Sequence, residues 1–191
     1  QQTCGSLLFL GRALDSTYLP SVGALSTQQA SPTLNSVAAC DRLIQYAAAH
    51  PDPHAYIRAS DMTLRIAVDA SYLSRDRSGS VAGGTFHLGP IPSADLDVGP
   101  PSSPNNLLHK FTCRIPVVVA SAAEAEYAAI FAGMQVGHDL RRTLSNLGYP
   151  QPPTPVSCDN ACAENLSQQK VRPKMSKSID MRFDWIVDRV K

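Results

Sequence analysis

Large aliphatic side chains occupy every second position from Leu64 to Val68, and no other segment constrains the fold of this chain as strongly. The leucine, isoleucine and valine of this segment lie on one side of a period-two pattern, and Asp69 lies on the other. Residues 81–88 and 111–118 also have strand character, and a polar, glycine-containing stretch joins the first two segments. The pattern predicts three strands, of which the first two form a hairpin.

A long helix is predicted directly after these strands. Ser121 and Glu124 have the S-x-x-E spacing of a capping box, and Gly148 provides a stop signal. Glu126 shares its helical face with Ile130 and several small residues. Burying a charge is unfavourable unless the charge is paired or binds a metal ion, so Glu126 is a candidate ligand. The alternative is that Glu126 lies in water at the edge of the apolar stripe.

Residues 155–158 form a fourth short apolar segment, which ends at Asp159 and precedes a helix-like segment at 161–169. Asp159 has an ordinary structural explanation as a helix N-cap, and Asp69 has one as a strand end. Taken together with Glu126, however, they are three carboxylates on three separate elements. Such carboxylates can converge on a divalent cation, and the set indicates a metal-dependent nuclease.

Three motifs resemble a known family in their order and spacing. They are SAAEAEYAAI (121–130), VSCDNACAENL (156–166) and KSIDMRFDWI (177–186). They are similar to the ribonuclease H domain of copia-type long-terminal-repeat retrotransposon polyproteins, whose D-A-[DS] step is matched by Asp69-Ala70-Ser71. The segment 3–26 resembles the region after the reverse transcriptase palm, so the resemblance covers nearly the whole chain.

The resemblance implies an α/β fold in which residues 59–191 form a ribonuclease H-like mixed sheet flanked by helices. Residues 1–58 would be a helical segment of the thumb or connection type. The implied activity is hydrolysis of the RNA strand of an RNA–DNA hybrid with two Mg²⁺ or Mn²⁺ ions about 4 Å apart. Asp69 would bridge both ions, Glu126 would hold the ion on the leaving-group side, and Asp159 would help to hold the other. The remainder of the reverse transcriptase polyprotein is the implied partner.

Two departures from the family pattern bear on activity. Ser178 replaces a histidine of the K-H-I-D-I-R motif. The family also has a fourth aspartate on a helix that would lie beyond Lys191, and Asp180 is a candidate substitute for it. These departures, with the proline-rich stretch 89–106, favour an alternative: a catalytically inactive module of the same fold that binds nucleic acid or a protein. A proofreading exonuclease or an integrase core is a third possibility.

Composition limits the remaining interpretations. Of the 191 residues, 43% are hydrophobic, which is enough for a sizeable core, yet no stretch is apolar and long enough to cross a membrane. The five cysteines are an odd number and predict reduced thiols in an intracellular setting, namely cytoplasm, virus-like particle or nucleus. The pairs Cys158/Cys162 and His50/His54 have zinc-ligand spacing but lack companion pairs.

The charge of the chain is unevenly distributed. The formal net charge is only +1, but residues 168–191 contain seven basic and three acidic side chains. Such a basic segment suits a phosphate backbone, and it is equally well explained as the solvated face of a helix. Residues up to Pro53 have apolar side chains at helical spacing and are predicted to be helical.

Overall fold

The structure, a computed structural model, describes residues 1–75, 79–90, 106–159 and 177–190, and for Arg75 and residues 177–183 it describes the backbone alone. The described residues contain five helices and four strands. The helices are α1 (Gln2–Ala13), α2 (Tyr18–Ser26), α3 (Leu34–Ala49), α4 (Ala122–Asn146) and α5 (Lys177–Val190), and the strands are β1 (Thr63–Arg75), β2 (Gly79–Gly89), β3 (Leu107–Arg114) and β4 (Val156–Ser157).

The four strands form one mixed sheet with the order β3-β2-β1-β4. The pairs β1/β2 and β2/β3 are antiparallel, and β4 is parallel to β1, with Ile66 opposite Val156. The predicted α/β class, with a mixed sheet flanked by helices, is therefore confirmed. The predicted hairpin is also present, while the helix-like segment 161–169 lies outside the described residues.

The third strand begins and ends earlier than its predicted range of 111–118. β3 spans Leu107–Arg114, and Ile115 makes one more backbone hydrogen bond, from its N–H to the carbonyl of Ser80 at 2.8 Å. Pro116 follows, and it has no N–H to continue the ladder. The apolar run beyond Pro116 therefore belongs to the connection that leads into α4.

α4 lies across β1 and β2 and closes the main hydrophobic core. Its two central glycines allow the close approach: a Cβ atom on Gly133 would lie 2.5 Å from Cγ1 of Val68, and one on Gly137 would collide with Ile66. α5 packs against α4, with the rings of Phe131 and Trp185 in an edge-on contact at 5.1 Å. The sheet thus has a helical layer fixed firmly on one face.

Both predicted ends of α4 are observed, with one difference at its start. Oγ of Ser121 accepts a hydrogen bond from the N–H of Glu124 at 3.2 Å. The Glu124 carboxylate, however, accepts from the N–H of Ala120 at 2.7 Å, one residue before the N-cap. At the other end, Gly148 adopts a φ of +91°, a left-handed conformation that glycine reaches without strain.

The N-terminal segment is helical, as predicted, and α1, α2 and α3 enclose a second buried cluster that includes Tyr18 and Val22. Lys110 of β3 connects this segment to the sheet. Its ammonium group is buried and donates to the carbonyl of Leu14 at the C-terminal end of α1, at 3.0 Å. Burial lowers the pKa of Lys110, an effect that the charge of Asp15 opposes. The domain boundary near residue 58 stays a prediction.

Arg141 of α4 holds the segment that leads into β4. Its guanidinium donates to the carbonyl of Pro152 and the hydroxyl of Thr154, and to the carbonyl of Gln151 at 3.0 Å. The Gln151 side chain in turn accepts from the N–H of Leu64 and donates to the carbonyl of Met62, both at 2.9 Å. Side chains thus support the approach to β4, which itself is only two residues long.

Replacing Arg141 by methionine should therefore destabilise the fold by about 1.5–3 kcal/mol, because several acceptors lose a charged donor at once. Arg142→Met is the matched control, since Arg142 is the next residue of α4, is exposed and makes no side-chain hydrogen bond in the described part of the chain. Urea denaturation of both variants measures the difference. Equal stability of the two variants would contradict the anchoring role of Arg141.

Candidate functional site

The candidate site lies at the carboxyl end of β4, beside the middle of the parallel strand β1. Asp69 is exposed and lies past the last residue that pairs with β4. The prediction that it ends its strand was wrong, because β1 keeps its pairing with β2 beyond Asp69 and continues to Arg75. Cys158 and Asp159 follow the end of β4 directly, Cys158 half-buried and Asp159 exposed. In open α/β sheets the crevice outside the carboxyl ends of the strands is the usual ligand site. Two of the three predicted acids are therefore brought to one edge of the sheet.

Glu126 reaches this edge from α4 and is the buried member of the group. Only 6% of its surface is exposed, as its position on the apolar stripe predicted. The hydroxyl of Tyr72 in β1 donates to the carbonyl of Ala120 at 3.1 Å, just before the N-cap of α4. This bond ties the start of α4 to β1, and Glu126 lies in the second turn of the helix.

Two donors contact the Glu126 carboxylate. The thiol of Cys158 lies 3.4 Å from Oε2, and the backbone of Ala70 also forms a hydrogen bond with it. The N–H of Ile66 faces β4 and donates to the carbonyl of Pro155 at 3.0 Å. Because N–H groups on the same side of a strand recur every second residue, the N–H of Ala70 faces the same side but lies beyond the end of β4. The short length of β4 leaves this donor for Glu126.

Glu126, Cys158 and Asp159 form the tightest group of possible metal ligands in the described part of the chain. One ligand atom from each lies within 4.8 Å of the others. Asp69 is outside this group, although it is near enough for its charge to act on Glu126. The structure therefore places Asp69 near Glu126, and it adds Cys158 to the candidate ligands. The sequence had connected Cys158 with metal only through a zinc pairing with Cys162.

The pKa of Glu126 is raised above its usual value, chiefly by burial. The hydrogen bond from Cys158 opposes this effect, the charge of Asp69 adds to it, the hydrogen bond from Ala70 opposes it, and the charge of Asp159 adds to it. Among the described residues, no lysine, arginine or histidine forms an ion pair with any of these three acids. Folding therefore disfavours the ionised form of Glu126 when no metal ion is bound.

This shift predicts how Glu126→Gln affects stability. A carboxyl group whose pKa is raised by folding contributes stability that is complete below the unfolded pKa and is lost as the pH rises through the folded pKa. In EDTA, the glutamine variant should therefore gain stability relative to the parent protein between pH 5 and about pH 8. Thermal unfolding at both pH values measures this gain. The absence of any such gain between the two pH values would contradict the assignment of Glu126 as a buried carboxyl group with a raised pKa.

The carboxylate oxygens of this group suit a hard divalent cation. Carboxylates of Glu126, Asp159 and Asp69 are the ligand type that Mg²⁺ and Mn²⁺ prefer, and the two exposed acids leave room for water. A thiol is not a ligand of Mg²⁺, but the protonated thiol of Cys158 suits the hydrogen bond to Glu126. The cluster can thus hold a metal ion through its carboxylates.

The other residues predicted as metal ligands lie elsewhere in the fold or outside the described side chains. Asp180 lies on α5, where its backbone alone is described, and Cys162 lies outside the described residues. His50 and His54 line an open pocket of about 400 Å³ in the N-terminal segment together with Asp15 and Asp52. In the described chain these four side chains do not form a ligand group, and the ring of His54 hydrogen-bonds the hydroxyl of Tyr56 at 2.7 Å.

Comparison with models of protein families, with curated proteins and with solved structures gives no match. None of the described helices combines the length and the apolar character that a membrane span requires.

Proposed function

We propose that this protein is a metal-dependent endoribonuclease that hydrolyses the RNA strand of RNA–DNA hybrids, as part of a retroelement reverse transcriptase. One observation carries the proposal: a buried glutamate on a helix lies close to Asp159, which follows β4, and to Asp69 in the neighbouring parallel strand β1. Buried carboxylates in such a setting are typically paired with a cation or bind a metal ion. The mixed, open sheet with flanking helices is compatible with a ribonuclease H-like fold.

In this proposal each side chain has a defined task. Glu126, Asp159 and Asp69 hold the divalent ions, and Cys158 and Ala70 orient the Glu126 carboxylate through their hydrogen bonds. When bound, such ions would lower the pKa of a coordinated water molecule, which would be the nucleophile, and would stabilise the leaving oxygen of a phosphodiester. The exposure of Asp69 and Asp159 leaves the site open to a large polyanion.

The substrate class is supported by the family resemblance and by the basic character of residues 168–191. A hybrid duplex would be recognised through its 2′-hydroxyl groups and groove shape, with little dependence on sequence. The phosphate backbone would contribute a salt-dependent share of the affinity.

The test is cleavage of an RNA–DNA hybrid labelled on either strand, with Mg²⁺ and then with Mn²⁺. We expect products from the RNA strand only and none in EDTA. Double-stranded DNA of the same sequence is the control substrate. Binding of the hybrid without cleavage under both metal conditions would favour the alternative function, a catalytically inactive module of this fold.

A further inference from the structure

Cys158 would not bind the ions in a site made of carboxylates alone, yet it belongs to the ligand group. Its Sγ is 3.4 Å from Oε2 of Glu126, and Asp159 is the next residue in the chain. The ligand atoms of all three residues lie within 4.8 Å of one another. Cys158 carries a thiol, so its sulfur can act as a ligand after losing its proton.

We propose that Glu126, Cys158 and Asp159 form a Zn²⁺ site, in which Cys158 binds as thiolate, and that Zn²⁺ at this site inhibits the proposed nuclease. The inhibition rests on the proposed function, whereas the Zn²⁺ site stands on the geometry. Thiolate and carboxylate are both normal zinc ligands, and three protein ligands plus water are a common arrangement.

The separation between the ligand atoms suits this ion. With Zn–S of about 2.3 Å and Zn–O of about 2.1 Å, two ligands of a tetrahedron lie about 3.6 Å apart. The sulfur of Cys158 and the nearer oxygen of Glu126 are 3.4 Å apart before any adjustment. The exposed carboxylate of Asp159, within 4.8 Å, has to move only slightly to complete the three.

The charges of the group also favour a cation. Glu126 is buried, Asp69 lies close to it, and none of the described basic side chains pairs with Glu126, Asp69 or Asp159. When Zn²⁺ binds, the S–H bond of Cys158 breaks, a Zn–S bond forms, and the proton passes to solvent. Zinc binds such mixed sulfur and oxygen sites more tightly than Mn²⁺ or Mg²⁺ does, and the thiolate adds to this preference.

The occupied site would exclude the reaction for a simple reason. Glu126 and Asp159 are the carboxylates that the proposed nuclease needs for its oxygen-bound ions. With both drawn to one Zn²⁺ beside Cys158, only Asp69 of the three proposed acids remains for a Mg²⁺ ion. The tetrahedral preference of a zinc site with sulfur also differs from the octahedral geometry that Mg²⁺ requires.

The first arm of the test uses Co²⁺ as a spectroscopic substitute for Zn²⁺ with the whole chain. We expect a thiolate-to-cobalt absorption band that stoichiometric Zn²⁺ removes and that Cys158→Ser and Cys158→Ala both lack. Cys113→Ser is the matched control, because Cys113 is exposed and belongs to no ligand group among the described residues, and it should keep the band. Absence of the band in the parent protein, or its persistence in both Cys158 variants, would overturn the site.

The second arm measures hybrid cleavage in excess Mg²⁺ as Zn²⁺ is added, with each variant compared with its own rate in Mg²⁺ alone. We expect half-inhibition of Cys158→Ser to need at least about tenfold more Zn²⁺ than that of the parent protein, as expected for a lost ligand. Equal sensitivity of the two proteins would overturn the inhibition. If the parent protein does not cleave at all, the proposed function fails, while the cobalt spectrum still decides whether the Zn²⁺ site exists.

Discussion

Asp69→Asn and Glu126→Gln should each reduce cleavage of the RNA strand by at least about a thousandfold. Metal-bound water and charge stabilisation are worth several kcal/mol in the transition state, and each 1.4 kcal/mol is a factor of about ten in rate. Both substitutions keep the shape of the side chain and remove its charge. The measurement is single-turnover cleavage of the labelled hybrid with Mg²⁺ in excess.

The control for this loss is Asp139→Asn, which removes a carboxylate from an exposed position of the same helix as Glu126 and should leave the rate unchanged. Unfolding curves of all the variants in EDTA test whether the fold is intact. A Glu126→Gln variant that unfolds at the same temperature as the parent protein, or at a higher one, cannot owe its loss of activity to unfolding.

The three acids also make separate predictions. Asp159→Asn should behave like Glu126→Gln, because the two side chains belong to the same ligand group. Asp69 lies outside that group, so cleavage by Asp69→Asn tests whether the site has a second ion position. Normal cleavage by Asp69→Asn alone would restrict the site to Glu126 and Asp159. Normal cleavage by both Asp69→Asn and Glu126→Gln would show the site assignment to be wrong.

Gly133→Val should destabilise the fold by about 2–3 kcal/mol and lower the melting temperature by about 5–10 °C. A Cβ atom at this position would lie 2.5 Å from Cγ1 of Val68, and Val68 is stiff because it is branched at Cβ and fixed in the sheet. α4 would have to move away from β1. Differential scanning calorimetry measures the change.

The matched control is Gly23→Ala in α2, where a Cβ atom would meet nothing within 4 Å. This substitution should stabilise the protein by about 0.5–1 kcal/mol, because alanine favours the helix more than glycine does. Combining Gly133→Val with Val68→Ala should recover part of the loss, since the two side chains compete for the same space. Equal melting temperatures for Gly133→Val and the parent protein would contradict the close packing of α4 on β1.

Features that depend on neighbouring residues in sequence were predictable. The alternation around Asp69 and the stripe around Glu126 are local patterns, and β1 and the burial of Glu126 follow them. The start of α4 was also predicted, but the hydrogen-bond partner of Glu124 was not. Glu124 accepts from the N–H of Ala120 and not from that of Ser121, and this choice depends on how Tyr72 holds Ala120.

Features that depend on long-range packing were not predictable from local patterns. Lys110 stands in a strand pattern, where a lysine is expected to be exposed, and it is buried because the end of α1 lies over it. The contact between Cys158 and Glu126 arises from the parallel pairing of β4 with β1, which no local pattern specifies. Whether Asp69 acts together with these residues in catalysis stays a prediction.

The pairing of β4 with β1 has a consequence for the order of folding. The side chain of Ser157 donates a hydrogen bond to the carbonyl of Ile66 across a separation of 91 residues, whereas Arg75 of β1 pairs with Gly79 of β2, which is close to it in sequence. Contacts between distant parts of a chain form slowly, because a long loop must close before they are made. We therefore expect the hairpin to form early and the two halves of the site to meet late. During synthesis on the ribosome, Asp69 and Glu126 emerge before Asp159, so a growing chain carries an incomplete site until β4 has left the exit tunnel.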